Sequence, residues 1–426
     1  MPLLYKDFIK KSLVYLASKV LVTHKPYVIA IIGSVGKTTA REAIYTVLSK
    51  KHSVRTSEKS LTTDIGVPLT ILGCPYSIST FTGWVQNFSV ALRQVFFTKN
   101  YPQYVILEID GQAKGEIARL VEWLSIDMLV VTTIGEIPAH VEHFETPESL
   151  RSEYALILKA LKEDSKVVVY EDDEYSRSLR SALHLTISYG SSESADISNE
   201  DYIVVYEHVK PVGLSFQLKK PALNEAVVVR GTLGMHAVNA ILASMAVLQA
   251  LGEHPYSMNS LFEKMSLPLG RMKILPGIKD SIIFDDSYNS SPVAVEELIA
   301  VTKKVNSKRK ILVLGDMFEL GRFSTQVHRE IGRECVGFDM LLCVGVRSRF
   351  IKEGALEAGV LPETIFHFDT AEKAGAYLQN ILEAGDFVAV KGSQNMRMER
   401  CVEEIMLEPL KKEKLLVRQS EEWLGR

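Results

Sequence analysis

Gly33-Ser34-Val35-Gly36-Lys37-Thr38-Thr39 places two glycines, a lysine and two threonines directly after the apolar stretch Ile29-Ala30-Ile31-Ile32. The apolar stretch reads as a buried strand, and Ala40 to Leu48 reads as a helix. That order gathers backbone N–H groups, a helix N-terminus and an ammonium around one point, which is how proteins hold a nucleotide triphosphate. Thr38 follows the lysine, where its hydroxyl can meet Mg²⁺. Ile31 stands where the full P-loop pattern carries its first glycine, so the run is a shortened variant. The competing reading is a strand–turn–helix corner with an incidental Gly-Lys-Thr. Agreement of strand, turn, lysine and helix favours phosphate.

Other residues could join that chemistry. Glu108 ends an apolar stretch, and His140 lies beyond the next one, so with Thr38 they offer oxygen and imidazole ligands to a metal. The alternative makes Glu108 a helix-cap partner and His140 a loop histidine, with His143 a surface or capping group. Further on, Asp285-Asp286-Ser287-Tyr288-Asn289 follows an apolar stretch and suggests a rim facing nucleotide or substrate, or else a capped loop before the helix that Pro292 starts. Lys391 is a candidate to neutralise a substrate carboxylate or phosphate. Arg271, after Gly270, is a candidate second cation at the transferring phosphoryl group, or else one half of an interdomain salt bridge.

Alternating short strands and helices must position these groups. Strands are expected over 104–109, 128–133 and 167–170, with helices over 115–123 and 147–161. Antiparallel strands are expected around 202–206 and 214–218, then a helix over 236–251. A second set of strands follows over 281–284, 310–314, 340–344 and 387–390, with helices over 293–305, 324–335 and 371–384 between them. Such alternation indicates an α/β fold with a largely parallel sheet, whose ligands sit at the carboxyl ends of the strands. The fold class is a P-loop ATPase-like central domain followed by a Rossmann-like α/β C-terminal domain. The expected boundaries are an N-terminal amphipathic helix over 1–25, an ATP-binding domain over 26–272, a ligase domain over 273–410 and a charged, solvated tail over 411–426. The first helix buries Phe8, Leu13, Leu16, Ala17 and Val20 against the nucleotide domain, or lies on an anionic membrane through Lys6, Lys10, Lys11 and Lys19.

At 426 residues and net charge -3, the chain is long enough for two or three domains and lacks the charge of a broad nucleic-acid surface, so no nucleic-acid partner is expected. Its four cysteines show no CxxC spacing and read as reduced thiols of the cytoplasm. No segment has the ~20 uninterrupted apolar residues of a membrane span.

Taken together, these runs resemble the Mur ligase family, in particular its D-alanyl-D-alanine-adding branch. The matching signatures are 33–39, Asp64-Ile65-Gly66-Val67-Pro68, Glu108 with Gly115-Glu116-Ile117, Ile134-Gly135 with His140, Gly270-Arg271, 285–289, Leu314-Gly315-Asp316-Met317 with Glu319-Leu320-Gly321, and Lys391-Gly392-Ser393. The resemblance implies an ATP- and Mg²⁺-dependent carboxylate–amine ligase working through an acyl phosphate, with a muramoyl peptide as acceptor and D-alanyl-D-alanine as amine. By resemblance, Gly33, Ser34, Val35, Gly36, Lys37, Thr38 and Thr39 hold the nucleotide phosphates, and Thr38, Glu108 and His140 hold Mg²⁺. His236, Asn239, Arg271 and Asp286 face the nucleotide, and Lys391 lies near the incoming amine.

This chain also departs from the family. Only 32 residues precede Gly33, where the family carries a UDP-holding domain. The substrate is therefore held by the other domains or by a partner, or it has no UDP. Position 154, fourteen residues after His140, is tyrosine where many members have a carbamylated lysine, so the second metal loses that support, or Glu153 or another group replaces it. Thr62 and Thr63 replace paired asparagines. In the His-Asn-x-x-Asn pattern, His236 is kept but Asn239 is one residue out of register. Two other readings follow from these gaps: a ligase for a non-UDP carboxylate scaffold, and a nucleotide-binding partner protein with weak turnover.

Overall fold

The computed structural model describes residues 3–57, 61–78, 80–220, 226–253, 261–262, 265, 267–420 and 423. The chain forms two compact units, one of Met1–Glu200, Leu218–Glu225 and Asn239–Met265, the other of Asp201–Gln217, Ala226–Val238 and Ser266–Arg426.

In the first unit, β1 (Tyr27–Ile32) lies between β3 (Tyr104–Glu108) and β4 (Ile126–Val131), with β2 (Val54–Arg55) beyond β3. On the other side of β4 follow β5 (Leu161–Tyr170), β6 (Leu185–Gly190) and β7 (Ile197–Asn199). Every pair among these seven is parallel. β1, β3 and β4 are nearly continuous apolar runs because helices cover both faces. The registers Ile31↔Glu108 and Ile32↔Val131 bring the carboxyl ends of β1, β3 and β4 side by side. That alignment unites residues far apart in sequence.

The N-terminal helix Leu3–His24 packs on two helices that the sequence pattern does not announce, Gly66–Leu72 and Phe81–Phe96. It buries Ile9, Leu13, Leu16, Ala17 and Val20. Phe8, expected in that stripe, is instead 67% exposed, since Ile9 is the residue in register with Leu13, Leu16 and Val20. The side chain of Lys6 lies outside the described residues. No helix among the described residues is long and apolar enough to cross a membrane.

In the second unit, β8 (Ile203–Glu207) and β10 (Ala226–Arg230) pair antiparallel with β9 (Lys210–Lys220). The end of β9 belongs to the first unit, where Leu218 and Lys220 pair antiparallel with β7. The second unit's other sheet runs β11 (Lys273–Pro276), β12 (Ile282–Asp286), β16 (Asp386–Lys391), β13 (Arg309–Gly315), β14 (Met340–Val344) and β15 (Ile365–Phe368). All its pairs are parallel except β11 with β12. The overall fold is therefore α/β with mixed, mostly parallel sheets. The expected solvated tail is in part a packed segment. Leu416 and Val417 are buried, and Arg418 bonds Glu399 at 2.6 Å and the carbonyls of Ser287 and Tyr288. Residues 421, 422 and 424–426 of that tail lie outside the described residues.

Candidate functional site

The turn after β1 needs its glycines. Gly33 has φ 136° and Gly36 φ 91°, and a Cβ on Gly33 would lie 2.3 Å from Thr132 Oγ1. The amides of Ser34 and Val35 donate to Thr133 O at 2.7 and 3.0 Å, and Ser34 Oγ accepts from the Ala139 amide at 2.8 Å. The β4 loop therefore braces the turn and uses two of the amides expected for phosphate. Helix Lys37–Leu48 starts at Gly36, which as a glycine offers no side-chain cap, so the positive end of the helix dipole faces the rim.

Lys37 is buried at the head of that helix. Its Nζ donates to Gly33 O at 2.5 Å and lies 2.8 Å from Asp110 Oδ2. Thr38 Oγ1 donates to Glu108 Oε2 at 3.1 Å, and Arg41 Nη1 donates to Glu108 Oε1 at 2.7 Å. Glu108 is thus partnered by a buried guanidinium that sequence reading did not single out. The pairing arises because Arg41 lies one helical turn after Lys37 and faces the end of β3.

Asp110, at the carboxyl end of the same strand, is the second residue that sequence reading did not assign to the site. It follows β3, and its Oδ1 accepts from the Tyr154 hydroxyl at 2.7 Å. Its Oδ2 lies 3.6 Å from His140 Nε2. Burial pushes the Asp110 carboxyl up, but Lys37 and His140 beside it outweigh burial and hold it well below the usual range. The Tyr154 phenol is fully buried and shifted well above its usual value, by burial first and then by the Asp110 charge. The hydroxyl therefore stays protonated and acts as donor. Glu153, the expected replacement carboxylate, instead accepts from the amides of Ile117 and Ala118 at 2.9 and 3.3 Å and caps helix Glu116–Val121. The carboxylate that stands beside position 154 is Asp110. His140 adopts φ 68°, an uncommon conformation for a non-glycine residue, at the entrance to a short 3₁₀ turn.

The threonines at the asparagine positions have local tasks. Thr62 O accepts the Asp110 amide at 3.3 Å, and Thr63 Oγ1 accepts the Gly66 amide at 3.1 Å. Asn239 donates to the Tyr170 hydroxyl at 3.2 Å, and its buried Oδ1 has no hydrogen-bond partner among the described residues.

The second unit carries its own cluster. Parallel β12 and β16 align Asp286 with Lys391, and Lys391 Nζ reaches Asp286 Oδ2 at 2.5 Å and Asn289 O at 2.9 Å. Asp286 Oδ1 accepts the Met272 amide at 3.2 Å. Asp285 is fully buried, which pushes its carboxyl up to about 6. The Arg271 guanidinium lies 4.2 Å from the centre of the Tyr288 ring, and the His236 amide donates to Glu297 at 2.8 Å. His236 Nε2 is buried with no hydrogen-bond partner among the described residues.

The structure thus brings Gly33, Ser34, Val35, Gly36, Lys37, Thr38, Thr39, Glu108 and His140 to one rim of the first unit, with Asn239 in that unit on a separate contact. His236, Arg271, Asp286 and Lys391 belong to the second unit. Among the described residues no group of three or more His, Cys, Asp or Glu is preformed to hold a metal.

Residues 31–248 match the Mur ligase middle domain, and residues 270–394 match the Mur ligase glutamate ligase domain. The chain is 26% identical over 386 residues to UDP-N-acetylmuramoyl-tripeptide–D-alanyl-D-alanine ligase of Bacillus subtilis, spanning 90% of this chain and 76% of that protein. The MurF ligase of Thermotoga maritima, solved in complex with ADP, is similar with TM-score 0.77 and 25% identity over 95% of this chain and 84% of its own. MurF of Acinetobacter baumannii shares the fold with TM-score 0.75 at 23% identity, over 92% of this chain and 79% of its own. With its middle-domain match alone spanning half the sequence, the chain belongs to the Mur ligase family.

Proposed function

We propose that this protein is an ATP-dependent ligase that joins the carboxylate of a UDP-muramoyl tripeptide to the amine of D-alanyl-D-alanine. The observation that carries the reading is the buried Lys37 at the head of the helix that follows the Gly33–Gly36 turn, on the rim where Glu108 and His140 also end. In this reading residues 26–272 form a P-loop ATPase-like domain and residues 273–410 a Rossmann-like ligase domain.

A carboxylate oxygen of the acceptor attacks the γ-phosphorus, the bond to the β-bridging oxygen breaks, and ADP leaves. The amine nitrogen then attacks the acyl carbon, phosphate departs with the acyl oxygen's electron pair, and the amine proton passes to solvent. Lys37 Nζ and the positive end of the helix dipole behind it carry the growing negative charge of the phosphoryl oxygens. The oxygen donors Thr38, Glu108 and Asp110 suit Mg²⁺, with His140 beside them, and Mg²⁺ would shield the phosphates. Glu108 orients the Thr38 hydroxyl while Arg41 balances its charge. Arg271, Asp286, His236 and Asn239 are read on the nucleotide side, and Lys391 near the incoming amine, where it positions Asp286 and Asn289. Since Asn239 is committed to Tyr170, adenine is held less by side-chain amides here than the family pattern implies.

The test is stoichiometry. Release of ADP and phosphate should require both a carboxylate acceptor and an amine. Fast ATP hydrolysis with neither present would refute the ligase reading.

A further inference from the structure

The carboxylate on the phosphate-binding lysine has a consequence for how ligands enter. We propose that Asp110 makes nucleotide and divalent-cation binding mutually dependent, by exchanging its ion pair with Lys37 for one with the incoming cation. The proposal rests on the nucleotide reading above and deepens the task of Asp110 within it.

The two contacts of Lys37 Nζ given above engage the ammonium that a phosphate oxygen would take up. A phosphate that takes up Lys37 must come within a few ångströms of the Asp110 carboxylate, and two anions so close repel strongly away from bulk water. Asp110 is not placed to swing aside. Its side chain is buried, its Oδ1 is held by the fully buried Tyr154 hydroxyl, and its amide is tied to Thr62 O. A cation between carboxylate and phosphate removes the conflict.

The other groups on the rim cannot do this alone. Glu108 already serves Arg41 and Thr38. No all-protein metal cluster is present among the described residues, so the cation has too few ligands until phosphate oxygens arrive. Mg²⁺ is commonly bound this way, by one or two carboxylates plus substrate phosphates and water. Each ligand therefore lacks a favourable site until the other is there. Linkage requires that the help be equal in both directions.

The experiment is calorimetric titration of the full chain with ADP, in chelator and in excess Mg²⁺, for wild type, Asp110→Asn and Tyr154→Phe. Wild type should bind ADP weakly in chelator and markedly more tightly with Mg²⁺. Asp110→Asn should bind metal-free ADP roughly tenfold more tightly and lose a similar factor of the Mg²⁺ enhancement, within the range usual for coupled sites. Tyr154→Phe frees Asp110 to move and should shift both quantities the same way by a smaller factor. It also decides the matter if Asp110→Asn does not fold. Unchanged metal-free affinity together with unchanged Mg²⁺ enhancement in the folded variants overturns the proposal and leaves the nucleotide reading standing. Absence of ADP binding by wild type with Mg²⁺ overturns both.

Discussion

Replacing Lys391 with methionine keeps most of the side chain's volume and removes its charge. The Asp286 carboxylate then stays at the end of β12 with, among the described residues, the Met272 amide donating to it. Both partners are nearly fully buried, at 3% and 9% side-chain exposure, so solvent screens little of the loss. Breaking one side of such a pair costs about 3–5 kcal/mol, which is two to nearly four orders of magnitude in an opening equilibrium. Hydrogen exchange followed on peptides covering β12 and β16 reads that equilibrium locally and needs no two-state unfolding of the whole chain. Exchange there should accelerate by at least 10²-fold in Lys391→Met. The double variant Asp286→Asn/Lys391→Met should return to within about tenfold of wild type, because no buried charge is left unpaired. Acceleration below tenfold in the single variant, or additive effects in the double, would show that Lys391 is not committed to Asp286.

Three further outcomes follow from the same contacts. Lys37→Ala should lower turnover by about 10²–10³-fold, and it should also destabilise the first unit, because Asp110 loses its ammonium partner; melting curves separate the two effects. Tyr154→Lys should not yield a carbamylated lysine, since Asp110 at 2.7 Å from the present hydroxyl would hold the new side chain as an ammonium, which does not take up CO₂; intact-protein mass and density at residue 154 check this. Asp285, raised to about 6 by burial, keeps a proton that the unfolded chain has already released between about pH 4 and 6. Stability should therefore fall by roughly 3 kcal/mol as pH rises through that window, and Asp285→Asn should flatten that part of the curve in denaturant titrations.

What was legible in the sequence follows from which forces are local. The strands flanking the site could be read because both-face burial makes them apolar runs, and β14 falls on its expected bounds of Met340 to Val344. The glycine turn and the helix after it could be read because Gly33 and Gly36 meet a local backbone demand. Helix Phe81–Phe96 was not legible because its buried face mixes Asn87 and Gln94 with Trp84 and Ala91 while Phe81, Val85, Leu92 and Phe96 are exposed, which blurs the amphipathic pattern. The Phe8 to Ile9 shift is a one-residue phase error, to which helical periodicity is most sensitive. Arg41–Glu108 and Asp110–Tyr154 span 67 and 44 positions, and only sheet register brings them together. One signal was available: Asp110 lies two residues after Glu108, at the carboxyl end of a strand beside the phosphate loop.

In the proposed reaction Lys37, Glu108, Asp110 and His140 serve the transfer of a phosphoryl group to a carboxylate that an amine then captures. The most direct test incubates the purified chain with ATP, Mg²⁺ and D-alanyl-D-alanine, together with UDP-muramoyl tripeptide or with non-UDP carboxylates, and looks for the joined mass. A product equal to tripeptide plus dipeptide less one water, formed with ADP and absent for Lys37→Ala, is the predicted result. No joined mass from any acceptor, with ATP intact or merely hydrolysed, would contradict the account.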